Sequence, residues 1–357
     1  MSTRRLSWCA VLLAALLAAA CSTSGSDTAT VEQTADPTSI VQLGDSIASG
    51  EGTLYGYTYD AKTKKWVGGD VNAEWPEPYP SCHDSPDAYG QVLATSLDAK
   101  FTQFACTGAT FDAGIEAPEL DDGKPMRPAQ FGNWANRTDI NKEYDETAPD
   151  LVLVTLGADD VRFSAIVRDC LTNAFEHASG AESLRCVSDN PGETIEQDYF
   201  DFLPTLTKNY GTLVDWIEKR AKANGEDAPP EVVFSNYANP LPPDGVTCPD
   251  TSVLSSEQLT YLSGLVGQLD DLIEKTITAL AKDHPNVGFV DFSEAYTVEG
   301  TSHDWCSDDP WVYGLSIYSV SDPSSFNSQA PFHPTPAGQK RLASLVEPVV
   351  KKLFDES

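Results

Sequence analysis

Two segments near opposite ends of the chain carry residue types that could do nucleophilic chemistry together. The first runs Ile40-Val41-Gln42-Leu43-Gly44-Asp45-Ser46-Ile47-Ala48-Ser49-Gly50-Glu51-Gly52. Its apolar opening has the composition of a buried strand, and it delivers Ser46 into a turn rich in glycine and serine. Glycines on both sides let the backbone turn tightly and leave room for a substrate. Alone, Gly-Asp-Ser is only a turn signal. What makes Ser46 a candidate nucleophile is the second segment, Pro331-Phe332-His333-Pro334-Thr335-Pro336-Ala337-Gly338, which sets His333 just before a helix start. Thr335 is the expected N-cap and Pro336 the first helical residue. A serine after the first strand and a histidine before the last helix can meet at one edge of an α/β sheet. There the imidazole can take the hydroxyl proton as the oxygen attacks a carbonyl carbon.

The elements that would position this pair can be read from periodicity. Short β-branched or apolar runs recur at 39–43, 101–105, 151–156, 231–235 and 287–292, with longer helical patterns between them. That alternation predicts βαβ units, with helices on both faces of a parallel sheet of roughly five strands, an α/β/α sandwich. The clearest helix is 255–282, where Ser255 and Gln258 form a capping box and Leu259, Leu262, Val266, Leu269, Ile273, Ile277 and Leu280 make a core stripe. A second helix, 202–223, is expected to bury Phe202, Leu206, Leu213, Trp216 and Ile217. Three stretches, 53–81, 164–200 and 297–331, follow strand ends and read as insertions that surround the site. Their aromatics, Trp66, Trp75, Trp305, Trp311 and Tyr313, either line a substrate cleft or pack the loops onto the body. Gly50-Glu51-Gly52 is not a dinucleotide fingerprint, because Tyr55 stands where the third glycine belongs.

With these features in place, the chain resembles the SGNH (GDSL-type) hydrolases, in their secreted actinobacterial lipase and esterase branch, across most of residues 39–354. Four blocks carry the likeness: Gly44-Asp45-Ser46 with Ser49-Gly50-Glu51-Gly52; Ala105-Cys106-Thr107-Gly108-Ala109-Thr110; Thr155-Leu156-Gly157-Ala158-Asp159-Asp160 with Phe163; and Phe332-His333-Pro334. The resemblance implies a flavodoxin-like SGNH fold with Ser46 as nucleophile and His333 as base and then acid. It also implies an oxyanion hole from the Ser46 and Gly108 N–H groups plus a side-chain amide from the third block. Two positions depart from the family pattern. Asp159 stands where Gly-x-Asn-Asp would supply the amide, and an ionised carboxylate cannot donate a hydrogen bond. Ala330 stands where the family places an acid three residues before the histidine. The imidazole N–H is then left to a backbone carbonyl or to an acid from elsewhere, such as Asp304 or Asp322.

The chain begins with Arg4 and Arg5 followed by an apolar stretch ending Leu17-Ala18-Ala19-Ala20-Cys21. Residues 1–21 read as a bacterial secretion signal with a lipobox-like end, too short to span a membrane, and Cys21 is the expected lipid anchor. Residues 22–38 are small and polar, which suits a flexible tether ahead of a hydrolase domain at 39–357. The formal net charge is −31, which repels nucleic acid and anionic lipid surfaces. Apart from Cys9 and Cys21, six cysteines remain in an exported chain, which argues for disulfides. Closure of successive loops and likeness to the related lipases select Cys82–Cys106, Cys170–Cys186 and Cys248–Cys306. No zinc site is expected, since C-x-x-C spacing is absent and the five histidines are scattered.

These readings converge on an extracytoplasmic serine esterase or lipase that needs no metal or organic cofactor. Its expected partner is an ester, either a lipid or an acylated glycan of the cell envelope, and the protein is expected to be a monomer that meets the membrane only through its anchor. Two alternatives share the fold. One is a cell-envelope acyltransferase that resolves the same acyl-enzyme with a hydroxyl acceptor. The other is a catalytically weak ligand-binding lipoprotein, suggested by Asp159 and Ala330.

Overall fold

Alternating side chains on the central strands decide the architecture. In the computed structural model, β1 (Ser39–Gly44), β2 (Lys100–Gln103), β3 (Leu151–Thr155), β4 (Glu231–Ser235) and β5 (Val287–Val290) form one sheet in the order β2-β1-β3-β4-β5. Every pairing is parallel, with Ile40 opposite Leu151 and Val232 opposite both Val152 and Val287. The structure describes residues 36–76, 79–121, 124–127, 129–131, 149–176, 195–242, 245–250, 254–318 and 323–356. All of them fall in one compact unit, Ala35–Ser357.

Successive strand residues point to opposite faces, so each central strand feeds two cores. On one face Val41, Leu43, Val152, Val154, Val232 and Phe234 pack under α3 (Phe163–Glu176), α4 (Ile195–Asn224) and α5 (Ser256–Leu280). On the other, Ile40, Leu151, Leu153 and Val233 pack under α2 (Tyr89–Ser96) and α6 (Pro336–Glu356). A short α1 (Ser46–Ser49) leaves the tip of β1. The fold is therefore the expected α/β/α sandwich on a five-stranded parallel sheet. Ser255 caps α5 and Gln258 completes the capping box, as the sequence predicts.

Several expectations on element extent are corrected. Residues 164–200 are not simply a loop, because α3 fills their first part and α4 begins at Ile195, well before 202 and with Pro204 inside it. The buried stripe of α4 is Tyr199, Leu206, Tyr210, Leu213, Val214 and Ile217, while Phe202 lies at the stripe's margin and stays 43% exposed. Strand β2 stops at Gln103, where the Ala105 N–H turns in to share the Gln42 carbonyl that already closes the ladder with Phe104 N–H. At the start of the domain, Thr38 is already tied to the sheet, donating through its N–H and hydroxyl to Asp150.

Disulfides Cys82–Cys106 and Cys248–Cys306 are both formed. Cys170 is also disulfide-bonded, and its expected partner Cys186 lies outside the described residues, as do Cys21, the signal segment and most of the tether. The loop aromatics mostly pack rather than project. Trp305 and Tyr313 are fully buried, Trp66 nearly so, and the Trp305 indole N–H donates to the Tyr313 carbonyl. Trp75 and Trp311 stay half-buried, each stacked on a histidine, His83 and His303.

Candidate active site

The chain leaves β1 toward β2 on one side and later returns to β3 on the other, so the C-terminal tip of β1 is the switch point where open α/β sheets hold ligands. Ser46 sits on that tip. Gly44 has φ of 138°, and a Cβ there would overlap the Thr155 carbonyl oxygen at the end of β3, so only glycine fits. The same carbonyl accepts from Asp45 N–H at 3.0 Å. Asp45 caps α1 by accepting from Ile47 N–H, and Gly50 ends the helix in the left-handed region. Buried Gln130 grips Gly44 from the side: Oε1 accepts its N–H at 2.8 Å and Nε2 donates to its carbonyl at 2.7 Å.

His333 arrives from the loop before α6. Its Nε2 lies 2.7 Å from Ser46 Oγ and its Nδ1 lies 3.1 Å from the Pro331 carbonyl oxygen. With Nδ1–H donating to that carbonyl, Nε2 is free to accept the serine proton. The loop is fixed by main-chain bonds: Tyr313 N–H to the His333 carbonyl, Phe332 N–H to the Tyr313 carbonyl, and Thr335 N–H to the Trp311 carbonyl. Phe332 holds φ of 74°, a costly value for a non-glycine residue that these bonds enforce. Thr335 caps α6 by accepting from Gly338 N–H. Gln339, one turn in, donates to the Ile47 carbonyl and accepts from Tyr89 N–H, locking α6 against α1 and α2. Of the acids considered for His333, Asp304 instead accepts from Ser302 and from Cys306 N–H, and Asp322 lies outside the described residues.

The second block flanks the same tip. Cys106 N–H donates to the Gly44 carbonyl, Thr107 N–H donates to the Cys82 carbonyl, and the Cys82–Cys106 bond closes the loop. Gly108 has φ of 73°, and the Arg127 guanidinium lies over it. Thr107 Oγ1 donates to buried Glu51, which also pairs with His83 Nδ1 at 2.5 Å. Burial pushes the Glu51 carboxyl up, but the His83 hydrogen bond and the nearby His333 outweigh it and bring the pKa below its ordinary value.

From the end of β3 comes the third block, where half-buried Asp159 accepts from the Ser164 hydroxyl at 2.7 Å. Burial raises its pKa, opposed by the Ser164 hydrogen bond and by the charges of His333 and Arg127. Next to it Asp160 accepts from Phe111 N–H, and burial lifts its pKa to about 7. Tyr237, just past β4, ties this block to the first: its hydroxyl accepts from Ala158 N–H at 2.9 Å and donates to Asp45 Oδ2 at 2.5 Å. Burial, then Asp159, push Asp45 well above the usual carboxylate range, and the Tyr237 hydrogen bond works against them.

Ser46, His333, Gly108 and Asp159 thus converge on one sheet edge, an arrangement that can activate a hydroxyl and receive a carbonyl. Gln130, Tyr237, Arg127 and Gln339 were not singled out in the sequence. Gln130, Tyr237 and Gln339 reach Gly44, Asp45 and Ile47, 86 or more positions away, Arg127 reaches Thr107 across a separate hairpin, and none carries a local motif.

The profile of the GDSL-like lipase/acylhydrolase family matches residues 43–341. Among solved structures, the extracellular lipase of Streptomyces rimosus is 22% identical with a TM-score of 0.53, covering 87% of this chain and 99% of its own. Phospholipase A1 of Streptomyces albidoflavus is 19% identical with a TM-score of 0.50, covering 88% of this chain and 99% of its own. At that identity both show a shared fold. Comparison with curated proteins finds no match. The profile spans the serine block through the histidine and into α6, and the chain therefore belongs to the GDSL-like lipase/acylhydrolase family of carboxylic ester hydrolases.

Proposed function

We propose that the protein is an extracytoplasmic serine esterase or lipase working through an acyl-enzyme on Ser46. The observation that carries this reading is the 2.7 Å contact between Ser46 Oγ and His333 Nε2, which joins residues 287 positions apart at the switch point of the sheet. Ser46 Oγ attacks the ester carbonyl carbon while its proton passes to His333 Nε2. The imidazolium then gives that proton to the departing alkoxide, and water, deprotonated by the same nitrogen, releases the acid. The Pro331 carbonyl does the orienting task that the family gives to an acid at the position of Ala330. The Ser46 and Gly108 N–H groups face the developing oxyanion, with Asp159 at the third donor position. Export is supported by the apolar N-terminal segment and by two disulfides in the folded body, and Cys21 is the anchor if the signal is cleaved before it.

Hydrolysis of a short-chain chromogenic ester, compared between wild type and Ser46→Ala, tests the proposal. Turnover in the wild type that vanishes in the variant is the expected result, and equal turnover in both removes Ser46. A second reading, ligand binding without efficient turnover, draws on Asp159 in the amide position; it predicts saturable ester binding to a wild type that barely turns over.

A further inference from the structure

An anionic side chain at the third oxyanion position needs a partner. When the tetrahedral intermediate forms, its oxygen takes on negative charge, and an ionised Asp159 nearby would oppose that charge instead of sharing it. The acids around Asp159 make matters worse, for Asp160 adjoins it in sequence and Asp45 faces it from the tip of β1. Ser164 contributes a neutral hydroxyl. His333 takes on charge with the serine proton and gives it up again, so its charge is not permanent. Among the described residues, the permanent cation in this corner is Arg127.

Arg127 ends the second strand of the hairpin Glu119–Asp121/Lys124–Arg127, and its guanidinium is held on two sides. Nη1 pairs with Glu119, and Nε donates to the Thr107 carbonyl. These contacts leave Nη2 lying directly over Gly108, so close that a methyl group on Gly108 would come within 2.5 Å of it. The side chain is only 19% exposed, which limits screening by water. It thus acts on the oxyanion corner in two ways. It holds the carbonyl of the Thr107–Gly108 peptide, and its charge reaches Asp159.

We propose that Arg127 is a positioning and charge-compensating residue of the oxyanion site, one that makes a carboxylate at position 159 compatible with ester hydrolysis. The proposal rests on the reading of Ser46 and His333 given above. At low pH Asp159 is protonated and can donate to the oxyanion itself. As pH rises it ionises, and the Arg127 guanidinium then offsets the carboxylate while Gly108 and Ser46 N–H carry the hydrogen bonding. Arg127 should therefore matter most on the alkaline side of the rate profile, and little once residue 159 is a neutral amide.

The experiment combines Arg127→Gln, Arg127→Lys and Asp159→Asn, singly and together, with kcat and KM followed across pH. Arg127→Gln is expected to lower kcat by up to about 10²-fold at alkaline pH, more than it changes KM, with a smaller loss at acid pH. Arg127→Lys should recover most of the alkaline rate by restoring the charge. Adding Arg127→Gln to Asp159→Asn should cost no more than a few-fold, because the two effects run through one another. A purely structural arginine gives a different pattern: the same fractional loss at every pH and in both backgrounds. That pattern overturns the proposal. A readout independent of turnover is the ¹³C NMR titration of the Asp159 carboxyl in Ser46→Ala protein, assigned by its absence in Asp159→Asn. Arg127→Gln should raise the Asp159 pKa and Arg127→Lys should largely spare it, whereas an unmoved titration refutes the coupling. Hydrolysis surviving in Ser46→Ala would remove the nucleophile assignment instead, and the titration would still decide the role of Arg127. If Arg127→Gln does not fold, Arg127→Met, which keeps the apolar stem and removes the charge, takes its place: an equal fractional loss in wild type and in Asp159→Asn overturns the proposal.

Discussion

The serine–histidine corner and the oxyanion corner of this site have each lost a side chain of the family pattern, and the structure answers the two losses differently. At the first, the acid before His333 is Ala330, and a main-chain oxygen, that of Pro331, takes the imidazole N–H. At the second, the amide is Asp159, and the response comes from side chains, the Ser164 hydroxyl and the charges of His333 and Arg127 on separate elements. The difference is one of chemistry. An acceptor is easily replaced, since every residue carries a carbonyl, whereas replacing a neutral donor with an anion changes the field of the whole site. The first loss is answered locally, and the second must be offset from a distance.

If that contrast holds, removing the side chains of the first corner is the most damaging change available. Ser46→Ala and His333→Ala should each lower kcat by about 10⁴-fold or more while thermal unfolding stays near wild type. Hydrolysis close to wild type in His333→Ala would show that the 2.7 Å contact is not the proton path.

The two disulfides stand at different distances from the oxyanion corner. The Cys82–Cys106 bond holds the Gly108 loop, while Cys248–Cys306 ties loops elsewhere. Opening the first by Cys82→Ser with Cys106→Ser should cost about 3 kcal/mol of stability and, in the protein that remains folded, should slow turnover. Opening the second should cost a similar amount with a smaller loss of kcat, since it reaches His333 only through Trp305 and Tyr313. Denaturant unfolding alongside kcat separates the two, and equal kinetic losses would mean that the loop needs no clamp.

Asp159 itself is the sharpest point of contrast. Burial raises its pKa, and only the protonated form can donate, while His333 must be neutral to act as base. As pH rises Asp159 ionises and stops donating, so the wild-type rate should fall away on the alkaline side. Asparagine does not titrate. Asp159→Asn should therefore raise kcat, by up to about 10²-fold, and extend activity to higher pH. A fall in activity at all pH values would give the carboxylate a task of its own, such as gripping a substrate hydroxyl.

The same two corners mark how far the sequence could be read. Ser46 and His333 were legible because their surroundings are local: glycines for a tight turn on one side, a Thr-Pro helix start on the other. The five strands and the capped helix α5 follow from periodicity for the same reason. Gln130 and Tyr237 were not legible, because each acts on a group far away in sequence, 86 and 192 positions off, at Gly44 and Asp45; Arg127 was not, because its hairpin carries no motif that points at the Gly108 loop. The role of Phe202 was misjudged because a stripe drawn from spacing alone does not say where its margin meets solvent. Whether the loop aromatics packed or projected depended likewise on which loops meet. Tyr55, Trp66, Tyr313 and Ala330 form one cluster that joins the first and last insertions.

Tyr237 offers the finest test, since its hydroxyl is the bolt between the serine turn and the Asp159 turn. Tyr237→Phe removes the acceptor of Ala158 N–H and the donor to Asp45 while leaving the ring packed, and should cost about 1–2 kcal/mol of stability. The loss should depend on pH. Asp45 has a folded-state pKa above its unfolded value, so its contribution is fully present at acid pH and is lost as pH rises through the folded pKa. Tyr237 restrains that loss by bonding the ionised form. Without the hydroxyl, the folded pKa of Asp45 rises further, and ionisation at higher pH meets an unassisted buried carboxylate. Denaturant unfolding should therefore show a larger deficit for Tyr237→Phe at alkaline pH, where Asp45 is ionised, than at acid pH. A deficit equal at both would mean that the hydroxyl serves Ala158 alone and that the serine turn stands without it.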